Sequence, residues 1–153
     1  MPAQIVTACA GFLLAVLWMD LMFDSQVRTS DRGGAIDERS LASIAGYYHR
    51  ATSTSQPMGS VIAVVMLVLL AMLGVEAFRG QTPGPILALQ AVLAGGPVLL
   101  ALSRTVPNAV RLGRRIGSAA EQSRLARAVY RDHLICVVGM LAFLVLWIVS
   151  GIG

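Results

Sequence analysis

Asp20 and Asp24 stand one helical turn apart, and Asp132 is followed directly by His133. Arg104, Asn108, Arg111 and Arg115 recur at helical spacing, and at 100° per residue all four fall within about 60° of one another. These polar groups lie in or beside apolar stretches, where an ionisable residue costs about 2.5–3.5 kcal/mol at mid-membrane and so needs a partner or a purpose. One purpose is structural: Asp20 and Asp24 against Arg104 and Arg111 would lock one end of a helix bundle with ion pairs. Another is metal binding. His49, His133, Asp20, Asp24 and Asp132 are suitable ligands, and two His with a carboxylate and open positions would suit non-haem iron. Haem would need His49 and His133 as paired axial ligands. No H-x-x-H, E-x-x-H or C-x-x-C spacing is present, so no metal or cofactor is favoured. Neither G-x-S-x-G nor a P-loop nor G-x-G-x-x-G occurs, and there is no Lys for a Schiff base.

The elements that must position these residues are membrane helices. Hydrophobic residues make up 56% of the 153 and charged residues 13%, against roughly 25% charged in a soluble domain. The mean hydropathy is +0.73. These values exclude a disordered chain, a coiled coil and an ordinary soluble enzyme. They indicate one all-α integral membrane domain, a four-helix bundle. Four stretches reach the ~20 apolar residues that a span requires: Ile5–Phe23, Met58–Phe78, Pro85–Leu102 and Leu134–Ile152. The third is expected to continue as helix to Leu112. The first lacks the positive n-region of a signal peptide, and Asp20 and Asp24 stand where its cleavage site would be.

The twelve basic residues are all Arg, a usage expected of a GC-rich bacterial genome. Arg28, Arg32, Arg39 and Arg50 separate spans one and two, while Arg104, Arg111, Arg114, Arg115, Arg124, Arg127 and Arg131 separate three and four. Arg79 alone lies between two and three. The positive-inside rule then places segments 24–57 and 103–133 in the cytoplasm and both termini outside, in a bacterial inner membrane. Attraction to anionic lipid accounts for the basic pI near 9.8 without nucleic acid. Cys9 and Cys136 fall near opposite ends of their spans, roughly 15–20 Å apart in depth, beyond the ~7 Å limit of a disulfide.

The cytoplasmic segments have structure of their own. Asp37 can cap a short amphipathic helix that presents Leu41, Ile44, Ala45 and Tyr48 on one face, ending before Pro57. It should lie on the membrane or dock under the bundle, with Tyr47 and Tyr48 as interfacial anchors. Ser118-Ala-Ala-Glu121 is a capping box, and one helix should run from Ala119 through span four, its inner end protruding into the cytoplasm. On that helix Leu125, Val129, Asp132 and Cys136 share one face with His133 at its edge, opposite Arg124, Arg127 and Arg131. Arg28–Gly34 and Gly80–Pro85 read as loops. Gly95-Gly96-Pro97 is a mid-membrane break that lines a cavity or permits close packing.

Two segments carry a resemblance. Val106-Pro107-Asn108-Ala109-Val110-Arg111-Leu112 leaves span three, and Arg127-x-x-Tyr130-Arg131-Asp132-His133 enters span four. In a four-span chain of this length they resemble the anthrone-oxygenase-like small membrane proteins. The chain departs from that family in having Asp20 and Asp24 where the family has a Pro, and in lacking a Trp before the last helix. The resemblance implies oxygenation of a phenolic polycyclic substrate without a bound cofactor. His133 would then be the base that forms the carbanion or phenolate, and Asn108 and Arg111 the donors that stabilise it. Asp132 or Asp20 would orient the His, and a flat substrate would enter laterally from the inner leaflet.

Two readings follow for function. In the first, the chain is a small membrane enzyme or binder of a lipophilic aromatic molecule, with its polar site at the cytoplasmic rim. In the second it is a non-catalytic anchor or accessory subunit. Its Arg face and Tyr-bearing helix would then meet a protein partner or a second copy. A transporter is disfavoured, since the spans carry almost no mid-membrane polar residues.

Overall fold

The computed structural model describes residues 2–29, 35–54 and 56–151. Helices α1 (Pro2–Asp24), α3 (Gln56–Arg79), α4 (Gly84–Leu100) and α6 (Ala119–Ser150) form the body, with α2 (Glu38–His49) and α5 (Val106–Gly113) at one end. Four helical stretches, 3–28, 57–79, 84–113 and 119–150, are long and apolar enough to cross a membrane. The expected loop at 28–34 lies mostly outside the described residues.

The four long helices form a ring. α1 packs against α3 and α6, and α4 packs against α3 and α6. Consecutive helices reverse direction, so every neighbour in the ring is antiparallel, the up-down-up-down arrangement of a four-helix bundle. Val6, Ala10, Leu13, Leu69, Leu73, Ala94, Met140, Phe143 and Trp147 fill the core of the half away from α2. Large apolar side chains point outward in a broad band, among them Trp18, Leu67, Phe78, Leu99 and Val138. A surface of that kind is suited to lipid rather than water.

Local sequence explains the ends of these helices. The Asp37 side chain accepts from Ser40 N at 2.9 Å and starts α2, while Ser118 and Glu121 cap α6 reciprocally. That 32-residue helix is unbroken, as expected. Span three continues into α5 through a π turn at Ala101–Thr105, where Val106 N bonds to Ala101 O. Pro107 has no N–H to donate, and its ring would clash with the carbonyl four residues back. The wider π turn relieves that clash. A second π turn, Arg50–Thr54, joins α2 to α3 ahead of Pro57.

α2 docks beneath the bundle. Its apolar face, Leu41, Ile44, Ala45 and Tyr48, is buried with Val27, Ile36, Ala109, Leu112, Ala126 and Val129. Gly113 makes this possible: a Cβ there would stand 2.7 Å from His49 N and 2.9 Å from Tyr48 C. Close packing at mid-span comes from Gly139, whose missing Cβ would meet Pro97 Cγ at 2.9 Å. Gly95 and Gly96 lie within α4, which is not broken there, and face open space.

Candidate functional site

His133, on α6, lies between the two carboxylates of α1. Its Nδ1 stands 2.6 Å from Asp24 Oδ2. A carboxylate only accepts, so Nδ1–H donates there. Nε2 faces Asp20 Oδ2 at 3.7 Å, which is longer than a hydrogen bond. α2 supplies the remaining partners: Tyr48 donates its phenol to Asp24 Oδ1 at 2.7 Å, and Tyr47 donates to Asp20 Oδ1 at 2.6 Å. The Tyr47 ring stacks on Phe23 with centroids 4.1 Å apart. The result is a chain of five residues in the order Tyr47, Asp20, His133, Asp24, Tyr48.

The chain is buried to different depths along its length. Asp24 is fully buried and Tyr48 and His133 nearly so, while the Asp20 side chain retains 16% exposure. Burial, then the facing Asp20 carboxylate, holds the Tyr47 phenol well above the ordinary tyrosine range. Burial, then Asp24, does the same to Tyr48. Both phenols therefore stay protonated and act as donors.

Asp20, Tyr48 and His133 line the polar end of a cavity of about 440 Å³, within the range of small-molecule sites. Its walls are otherwise mostly apolar, with Leu13 and Leu17 from α1, Met66 from α3, Pro97 and Val98 from α4, and Met140 from α6. Thr105 of the π turn lines it too. Cys136, also in the wall, directs its thiol at Pro97 O, 3.7 Å away. Cys136 and Cys9 are both free thiols.

Of the residues singled out by sequence, Asp20 and His133 meet at this cavity. Asp132 is buried beside them but faces Arg104, whose Nε lies 3.2 Å from Asp132 Oδ2. Asn108 and Arg111 do not line the cavity; Arg111 is exposed, in a shallow cleft with Glu121 and Arg124. The expected pairing of Asp20 and Asp24 with Arg104 and Arg111 does not form. The tyrosines and His133 occupy both carboxylates, and Arg104, in the π turn, pairs with Asp132 instead. Tyr47 and Tyr48 are not interfacial anchors, because docking of α2 turns their hydroxyls inward onto α1. His49 is exposed and absent from the cavity wall, so neither the two-His iron site nor the paired-His haem site assembles. Among the described residues, no three His, Cys, Asp or Glu side chains are grouped to hold a metal ion.

Sequence reasoning placed Tyr48 on a buried face but missed its hydroxyl contact. It read Asp24 as an ion-pair partner of arginine or a metal ligand, not as the partner of His133 and Tyr48. The signal was the i, i+4 aspartate pair opposite a Tyr-Tyr dipeptide, since two buried carboxylates require donors. Compared with family models, with curated proteins and with solved structures, the chain matches none.

Proposed function

We propose that this chain is a membrane-embedded binding site for a lipophilic small molecule, whose polar group is received by His133 and Asp20. The observation that carries this reading is the mostly apolar cavity of about 440 Å³ ending on Asp20, Tyr48 and His133. A ligand's skeleton would occupy the apolar walls and its polar group the Asp–His end. With Nδ1–H committed to Asp24, His133 Nε2 is oriented as a proton acceptor, so proton abstraction from a bound ligand is the chemistry that the geometry supports best. The anthrone-oxygenase-like reading draws support from that base. Its anion-stabilising donors, Asn108 and Arg111, stand outside the cavity.

The distribution of Arg supports an orientation with the α2 end in the cytoplasm of a bacterium and both termini outside. A second reading, an accessory subunit, draws on the exposed Arg111, Arg114, Arg115, Arg124 and Arg131 around the base of α5 and α6. These would offer an acidic partner a docking face.

The experiment is native mass spectrometry of the protein in gentle detergent, comparing wild type with Ala63→Phe, which fills the cavity from α3. Ala63 lines the cavity and is otherwise exposed. The expected result is a discrete small organic adduct on wild type that Ala63→Phe loses. A co-purifying protein held equally by both, with no small adduct, favours the accessory reading.

A further inference from the structure

The cavity's polar end has a definite charge. Asp20 and Asp24 contribute two formal negative charges and His133 at most one positive. The tyrosines are neutral donors. Asp132 is matched separately by Arg104. Among the described residues no arginine lines the cavity, and the chain has no Lys. With both carboxylates ionised, the described residues leave the site at least one negative charge without a counter-ion, in mostly apolar surroundings. Charges buried without a counter-ion are costly.

A second observation points to an occupant. His133 is 7% exposed, and its Nε2 lies 3.7 Å from Asp20 Oδ2, beyond hydrogen-bond reach. The two residues thus both line the cavity without bonding each other there.

The route in is also marked. Gly59, Ser60 and Ala63 on α3, and Leu102 and Val106 across from them, line the cavity and are themselves exposed. The cavity therefore opens sideways between α3 and the turn leading into α5, at the level of the outward apolar band. A molecule dissolved in lipid reaches it without crossing water.

Resting on the binding-site reading above, we propose that the ligand is a lipophilic amine bound as its ammonium ion. Its ammonium donates to Asp20 Oδ2 and faces His133, and its apolar body lies along Leu17, Met66 and Val98. Fatty acids and phosphates, which arrive as anions, are disfavoured by the site's negative charge. Tyr48, in the same wall, adds an aromatic face of the type that favours cations.

The test uses three naphthalene probes of matched size, bearing an ethylammonium, a hydroxyethyl or a carboxymethyl group. Binding is measured to the full chain in nanodiscs of zwitterionic lipid, which removes attraction of the cation to anionic headgroups. The ammonium probe is expected to bind about tenfold or more tighter than the alcohol, as a charge-assisted bond implies, and the carboxylate not detectably. In Asp20→Asn the preference for ammonium over alcohol disappears. In Ala63→Phe all binding is lost. Equal or tighter binding of the alcohol in wild type overturns the amine assignment and leaves the cavity reading standing. Binding of no probe, or binding unaffected by Ala63→Phe, overturns both. Because the decisive comparison is made on wild type, the outcome does not depend on a variant folding.

Discussion

The imidazole of His133 and the carboxylate of Asp24 meet at 2.6 Å, although 109 positions separate them in the chain. This contact joins the first and last membrane helices where α2 covers them. It also sets the proton on Nδ1 and leaves Nε2 for the cavity. Much else in the site depends on it.

Replacing either partner breaks a buried ion pair and leaves the other with one partner fewer, a loss of up to about 3–5 kcal/mol. Asp24→Asn and His133→Gln should each lower stability strongly. The double variant should lose clearly less than the sum. Reversible unfolding in detergent measures this cycle. Additive losses would mean that the two groups do not interact.

Tyr48→Phe removes the donor to Asp24 Oδ1 from a fully buried carboxylate, an expected cost of about 1–3 kcal/mol. Tyr47→Phe should cost less, because Asp20 borders the cavity, where a ligand or water can replace the phenol. Melting temperatures of the two variants give the order. A larger drop for Tyr47→Phe would contradict the burial argument.

Gly113→Ala places a methyl group against the backbone of His49 and Tyr48, and overpacking of this kind costs about 1–3 kcal/mol. The expected consequence is that α2 lifts from α5 and withdraws both tyrosines from α1. Limited proteolysis should then cut within α2 faster than in wild type, while the four long helices persist by circular dichroism.

The tyrosines also set an alkaline limit. Folding raises the pKa of Tyr47 and Tyr48, so their contribution is complete below the unfolded value of about 10. It declines as pH rises beyond it, because the unfolded chain ionises first. In a spectrophotometric titration, tyrosinate absorbance from these two should appear together with loss of structure. Smooth ionisation of all three tyrosines in the folded chain would show that the site is open to hydroxide.

Orientation is tested by impermeant thiol labelling in intact cells, with Ser53→Cys at the α2 end and Gln81→Cys in the short α3–α4 connection, both in a chain lacking its native thiols. The Arg distribution predicts that only the Gln81→Cys chain is labelled from outside. The reverse pattern would place the cavity's Asp–His end toward the exterior.

Much of this molecule was determined by local sequence. Apolar runs set the four long helices, because only an internally bonded backbone tolerates lipid. Asp37, Ser118 and Glu121 set helix starts through caps made within one turn. The period of Leu41, Ile44, Ala45 and Tyr48 determined the buried face of α2. Each of these depends on neighbours a few residues away. The composition of the site was decided at a distance. Whether Asp20 and Asp24 would meet arginine, metal or tyrosine depended on the order of helices around the ring and on the close approach allowed at Gly113. It depended also on the π turn that carries Arg104 to Asp132. A residue's type announces that it needs a partner. Only the packing of the helices, which the individual spans leave open, selects His133 and the two tyrosines.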